Sequence, residues 1–291
     1  MDLNQIGYFV NLAETLNFTA AARLSGVSQP SLTRAIQRLE EEFGGPLIYR
    51  DGKHSRLTAL GHDVYAEFRS VRVALSNVRE HAEIATSGRR RVLDIAVAAT
   101  VGPGTFAAFF HSAIGRLPSV VIQVHALRHG EGSDDVLSGK YHACILPREP
   151  RADRKLDVLA LFRERLLLAC CKDHPLAGRD VVSLDDVAAY PYVDRLACEV
   201  RRQVAGHFVT RANVMRPRFR AEREDWVQAM VARTLAVCIL PERSVVMPGL
   251  VTRPVDGLSI ERELVLVTVS GSGTPVEIRE IAQMASRYDW T

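Results

Sequence analysis

A length of 291 residues allows about two domains, or three if one is small. With 47% hydrophobic, 24% charged and 7% aromatic residues the composition is that of an ordinary globular protein, which excludes a disordered, collagenous or disulfide-scaffold chain. Net charge is only +3, from 37 basic and 34 acidic residues, so bulk charge does not point to nucleic acid and any such reading must rest on geometry.

Leu3, Ile6, Phe9, Val10 and Ala13 recur at three- and four-residue spacing and predict a first helix. A short second helix carries Phe18, Ala21, Ala22 and Leu24 and closes at Ser25-Gly26. Ser28 caps a third, with Pro30 in the first turn, where no intrahelical donor is needed; Leu32, Ile36, Leu39 and Phe43 mark its buried side and Gly44-Gly45 ends it. Leu47 to Arg50 and Arg56-Leu57 flank a polar turn and read as a small β-wing. Thr58 caps a long helix to about Ala85, on which Leu60, Val64, Phe68, Val71, Leu75, Val78 and Ala82 form a coiled-coil seam suited to dimerisation. Ser87 to Arg91 is small and basic, a linker. Beyond it strands (92–99, 120–127, 141–146, 164–171, 190–193, 217–221, 236–240, 250–255, 262–269) alternate with helices (104–116, 199–212, 224–233, 275–288), which implies parallel sheets with crossover helices and a ligand cleft at the strands' carboxyl ends.

Phe18 to Glu42 fits a helix-turn-helix, whose second helix enters the major groove of double-stranded DNA. Opposite its apolar stripe that helix presents Gln29, Ser31, Thr33, Arg34, Gln37 and Arg38, beside Pro30 in the first turn. Glutamine pairs with the adenine edge, arginine with guanine, and serine or threonine with base or phosphate. Gln29, Thr33, Arg34 and Gln37 are expected to read bases, and Thr19, Arg50, Lys53 and Arg56 to hold phosphates or the minor groove.

These same residues carry a family resemblance. Leu3-x-x-Ile6-x-x-Phe9, Asn17-Phe18-Thr19-Ala20-Ala21-Ala22-x-Leu24, Ser28-Gln29-Pro30-Ser31-Leu32-Thr33, Ile36-x-x-Leu39-Glu40, Gly44 and Leu57-Thr58-x-x-Gly61 resemble the LysR-type transcriptional regulators, as do His174-Pro175-Leu176-Ala177 and Ile239-Leu240-Pro241-Glu242 further on. The resemblance implies an α/β protein with a helix-rich winged helix-turn-helix at 1–58, a dimerising linker helix at 59–88, and an effector domain at 89–291. That domain would have two α/β lobes of periplasmic-binding-protein type: lobe I at 89–162 and 268–291, lobe II at 163–267. It also implies operator DNA and a second copy of the chain as partners, as a dimer or tetramer. Arg233-Thr234-Leu235 departs from the family, which usually carries small glycines there.

Two stretches are similar to a peroxide-sensing subgroup of that family: Thr100-Val101-Gly102-Pro103, and Cys198 after Pro191-Tyr192-Val193. In that subgroup the threonine lies across the cleft from the reactive cysteine and helps hold the peroxide. A helix start and Arg195, Arg201 and Arg202 would favour the Cys198 thiolate. Ala197 replaces the subgroup's histidine and no second cysteine follows in the helix, so a disulfide would need Cys238, Cys171 or a small thiol. Two effector readings stay open: an oxidant sensed at Thr100, Val101 and Cys198, or a small carboxylate held by Arg128, His129 and Arg148 with Cys198 inert.

Cys144 and Cys238 sit among apolar residues as core, and Cys170-Cys171 point to opposite faces of a strand. No C-x-x-C or histidine spacing suggests a metal, no cofactor is expected, and the nucleophile-elbow, phosphate-loop and dinucleotide motifs of enzymes are absent, which leaves an enzyme with a Cys198 nucleophile as the remote rival reading. Gly102-Pro103-Gly104, a turn before a helix, reads as an anion seat. Five cysteines without a spaced framework, no leader-like start and no apolar run longer than Leu166–Cys171 predict a cytoplasmic protein with no membrane span.

Overall fold

The computed structural model describes the chain except residues 52–53, 88–89, 129, 150–152, 210–216, 272–273 and 291. It divides into two compact units, Met1–Arg89 with Leu137–Gly139, and Arg90–Val136 with Lys140–Thr291.

In the first unit α1 (Leu3–Thr15) begins at a reciprocal cap, in which the Gln5 amide donates to the Asp2 carboxylate and the Asp2 amide to the Gln5 side chain, both at 2.8 Å. α2 (Phe18–Leu24) and α3 (Gln29–Phe43) follow, then the antiparallel hairpin β1 (Ile48–Asp51) and β2 (His54–Leu57), then α4 (Ala59–Ser87). Gly44 ends α3 at φ 71°, a left-handed conformation that glycine adopts without a Cβ clash. Gly61 is required by space: a Cβ there would lie 2.0 Å from the Leu47 carbonyl oxygen.

The α4 stripe does not face one way along its whole length. Val64 and Phe68 are buried in the core of their own unit with Phe9, Leu12, Leu32, Ile36 and Leu39, and Phe68 meets Phe9 edge-on at 5.9 Å. Val64 is therefore a core residue rather than a free seam position, because the first turns of α4 cover the face that α1 and α3 leave apolar. Leu75 is half-buried, while Leu60, Val71 and Val78 are exposed.

In the second unit Arg91 is not linker: it opens β3 (Arg91–Val97), buried and paired with Glu277 at 3.1 Å. α5 (Pro103–Arg116), β4 (Val120–Ala126), α6 (Ser133–Leu137), β5 (Ala143–Pro147) and the long β6 (Leu156–Cys171) come next. Then follow β7 (Val182–Ser183), α7 (Leu184–Ala188), β8 (Tyr192–Arg195), α8 (Arg201–Val209), β9 (Pro217–Ala221), α9 (Glu224–Ala232) and β10 (Cys238–Pro241). β11 (Leu250–Arg253), β12 (Val255–Asp256), β13 (Glu261–Val269) and α10 (Val276–Arg287) complete the order. β3 pairs in parallel with β4 and β5, as alternation predicts, but β6 and β13 run antiparallel, so the sheet is mixed.

Two cores define two lobes. Leu93, Ile95, Phe106, Phe109, Leu264, Leu266 and Trp290 belong to the first, and Leu166, Leu168, Val193, Val204, Val227, Ile239 and Ile260 to the second. β6 crosses from one to the other near Arg165, pairing with β13 before that point and with β10 and β11 after it. The chain returns at Ile260–Glu261, not at 267/268 as the sequence suggests, because the apolar run Leu264 to Val267 pairs with β5 of the first lobe.

Phe68→Ala should cost about 3–5 kcal/mol of unfolding stability in urea titration. A loss under about 1 kcal/mol would mean that α4 is not part of the first unit's core.

Candidate functional site

The first unit presents α3 by its outer face. Ser28 accepts from the Ser31 amide at 3.3 Å, so α3 starts where the sequence places its cap, and Asn17 caps α2 by accepting from the Thr19 and Ala20 amides at 3.0 and 3.1 Å. With Leu32, Ile36 and Leu39 inside, Gln29, Pro30, Arg34, Gln37 and Arg38 are exposed and Ser31 and Thr33 half-exposed. The Thr33 hydroxyl donates to the Gln29 carbonyl at 2.9 Å. Thr19, Arg50 and Arg56 are exposed too, and Lys53 lies outside the described residues. One residue was not foreseen: Glu40 accepts from the Leu47 and Ile48 amides at 2.9 and 3.2 Å and so fixes the hairpin to α3. Its only sequence signal is a carboxylate on the helix flank nearest the wing.

The second unit holds a cleft of 1580 Å³ between its lobes. Its closure centres on Arg262, at the start of β13 and 3% exposed. Its Nε and Nη2 donate to Glu164 Oε1 at 2.9 and 2.7 Å. Nη1 donates to Glu199 Oε1 at 2.5 Å and to Thr100 Oγ1 at 2.7 Å, and Nη2 also to the Thr100 carbonyl at 2.9 Å. The Thr100 hydroxyl donates in turn to Glu199 Oε2 at 2.9 Å, and the other Glu164 oxygen accepts from the Arg243 amide at 2.9 Å. Thr100 follows β3 in the first lobe and Glu199 precedes α8 in the second, so one guanidinium ties both lobes to the crossing strands. Burial works against the Glu199 carboxylate, but the Arg262 charge and hydrogen bond outweigh it and hold Glu199 below its ordinary range.

This arrangement corrects two expectations. Thr100 is 1% exposed with its hydroxyl already donating and accepting, so it does not present a free hydroxyl to the cleft. The turn at Gly102 is closed as an anion seat: a Cβ there would lie 2.4 Å from the Arg243 carbonyl oxygen, so the two backbones fill the space. Val101 packs against the first lobe's core.

Cys198 is half-buried, and its neighbours do not favour a thiolate as the sequence suggests. Burial pushes its thiol above the ordinary value; Arg195 pulls it down and Glu199 pushes it up. Arg195 Nη1 does donate to Sγ at 3.4 Å, but the same guanidinium serves Glu224, with Nε at 2.8 Å. Arg201 is taken by Asp194 at 2.8 and 2.5 Å. The other shifted thiols are also raised by burial: Cys144 and Cys238 to about 12 and Cys170 to about 11.

Of the basic residues expected in the cleft, Arg128 and Arg148 line it, and His125, which the sequence did not single out, lies on the same wall. Arg148 is paired with Glu263, His125 with Asp94 at 2.7 Å, and His129 lies outside the described residues. Arg128 is exposed on the wall, and its backbone amide donates to Glu131 at 2.9 Å. Among the described residues no three histidine, cysteine or carboxylate side chains gather as a metal site, and no helix is long and apolar enough to cross a membrane. The Glu164–Arg262–Glu199 cluster, built on a buried Arg262 and Glu164, escaped sequence reading because Glu261-Arg262-Glu263 looks like a solvated charge run.

The family models that match are "Bacterial regulatory helix-turn-helix protein, lysR family" over residues 3–62 and "LysR substrate binding domain" over residues 86–288. An uncharacterized HTH-type transcriptional regulator of Bacillus subtilis, YybE, is 25% identical over 244 residues, covering 83% of each chain. The transcriptional dual regulator OxyR of Escherichia coli is 28% identical over 246 residues, 84% of this chain and 80% of its own. Among solved structures, a cysteine-to-aspartate variant of full-length OxyR from Pseudomonas aeruginosa superposes with a TM-score of 0.63 at 22% identity over 98% of each chain, a likeness of fold.

Arg262→Ala would strand the buried Glu164 carboxylate and free the partly exposed Glu199, and should cost about 3–5 kcal/mol of stability. Arg262→Lys should recover only part of it, since an ammonium cannot bridge Glu164, Glu199 and Thr100 together. Full recovery by lysine in thermal or urea unfolding would show that charge alone, not the planar fork, holds the cluster.

Proposed function

Because the chain belongs to the LysR family of DNA-binding transcriptional regulators, we propose that its first unit reads an operator while its interlobe cleft admits a small metabolite whose binding resets the Arg262 cluster. The observation that carries the effector half is the cluster itself: a buried cation shared by Thr100 of one lobe and Glu199 of the other, on the edge of a 1580 Å³ cleft. A ligand that binds the two lobe arrangements unequally shifts their populations by its differential affinity, and nothing more is needed for sensing.

On the DNA side Gln29, Thr33, Arg34 and Gln37 read base edges from α3. Thr19, Ser31, Arg38, Arg50, Lys53 and Arg56 hold the backbone or the minor groove. A single helix-turn-helix contacts too few bases for genomic specificity, so two copies act together. The exposed Leu60, Val71 and Val78 with Leu75 form the seam between their α4 helices.

Between the two effectors considered, the geometry favours a metabolite over an oxidant. Thr100 has no hydroxyl to spare, and the Cys198 thiol is pushed up rather than down. The Arg195 contact to Sγ is the one observation on the oxidant side, and the E. coli OxyR relative gives that reading its place as the alternative. The cleft wall offers Arg128 as an exposed cation.

Peroxide chemistry separates the two. A slight excess of hydrogen peroxide should leave Cys198 unlabelled by a sulfenic-acid probe over minutes and the operator footprint unchanged. Rapid labelling at Cys198 with a changed footprint would overturn the metabolite reading in favour of the oxidant one. Independently, Arg34→Ala should weaken operator binding by about 1–3 kcal/mol and relax base preference at one position. Unaltered affinity would remove α3 from the groove.

A further inference from the structure

The second lobe contains a cavity of its own. It measures 210 Å³ and lies between β8 and α8, with Tyr192 and Ile239 on one side and Val204 and Phe208 on the other. All four are buried hydrophobic residues, so the interior is apolar. Cys198 belongs both to this lining and to that of the interlobe cleft, so it borders both spaces.

The charge at the pocket is not balanced. Among the described lining residues Arg195, Arg201 and Arg202 stand against Asp194. Arg195 is committed to Glu224 and Arg201 to Asp194, whereas Arg202 is exposed and makes no ion pair among the described residues. The opening thus carries an unspent positive charge over an apolar floor. The volume selects for size: a dry cavity of about 150 Å³ takes benzene, and drug-sized ligands need about 300 Å³ or more.

We propose that this pocket binds a compact carboxylic acid of one ring or an equivalent branched chain, its hydrocarbon packed on Tyr192, Val204, Phe208 and Ile239 and its carboxylate held at Arg202. Such a ligand presses on Cys198, the neighbour of Glu199, whose carboxylate holds Arg262 and Thr100. Pocket occupancy therefore bears on the lobe-joining cluster from the side opposite the cleft. Binding itself stands on the cavity and its charge alone, while this coupling rests on the proposed role of the cluster in regulation.

Titration calorimetry of the full chain with benzoate tests it, with benzylamine as a probe of the same shape and opposite charge. Benzoate should bind once per chain and benzylamine should not. Arg202→Gln should weaken benzoate about tenfold. Ala205→Trp, at an exposed lining position, should abolish binding with an unchanged circular dichroism spectrum. Arg128→Gln, on the cleft wall alone, should leave it unaltered. Absence of benzoate binding overturns the pocket, as does binding that Arg128→Gln removes and Arg202→Gln and Ala205→Trp leave intact, since that places the acid in the cleft. Benzoate bound at Arg202 with an operator footprint identical to that of the free protein overturns the coupling and leaves the pocket standing.

Discussion

The architecture of the second unit depends on the burial of one arginine. Arg262 sits where both crossing strands pass between lobes, 3% exposed, and a guanidinium so placed is tolerable only if its donors are occupied. Glu164, Glu199 and the hydroxyl and carbonyl of Thr100 do that, at distances of 2.5 to 2.9 Å. Each partner comes from a different segment: β6, the turn before α8, and the turn after β3. The planar fork therefore specifies how the lobes meet, and it does so with groups that lose their partners together when the lobes move apart. An apolar contact of equal area would be more forgiving of a small displacement, because it has no directional requirement.

The same cluster shapes the chemistry around it. It takes the Thr100 hydroxyl out of service and sets the Glu199 carboxylate beside Cys198, where it opposes the pull of Arg195 on the thiol. Arg195 in turn is shared with Glu224. The buried Arg195 guanidinium thus lies beside the thiol without bringing it below its ordinary value, because burial outweighs its pull and Glu199 and Glu224 oppose it. Cation count in the sequence is a poor guide to thiol reactivity where the counter-charges arrive from distant segments.

That distinction separates what was legible in the sequence from what was not. The cap at Ser28, the glycine stop at Gly44 and the inward stripe of α3 are local, and each signal lies within a few residues of the structure it dictates. Val64 reads as a seam position because helical periodicity reports that a face is apolar, not what covers it; here α1 and α3 cover the first turns of α4. The return crossing is misplaced in the sequence reading because an apolar run such as Leu264 to Val267 carries no mark of which lobe it pairs with. The Arg262 cluster is invisible there for the same reason, since partners 63 to 162 residues apart in sequence leave no local pattern.

The operator footprint of Glu199→Ala, taken with no small molecule present, tests most directly the claim that the Arg262 cluster sets the regulatory state. Removing that carboxylate takes the second lobe's hold off Arg262 while leaving Thr100 and Glu164 in place. The account predicts a folded protein that binds the operator with a footprint altered from that of the parent. A folded Glu199→Ala protein with the parent's footprint, unchanged base by base, would contradict it.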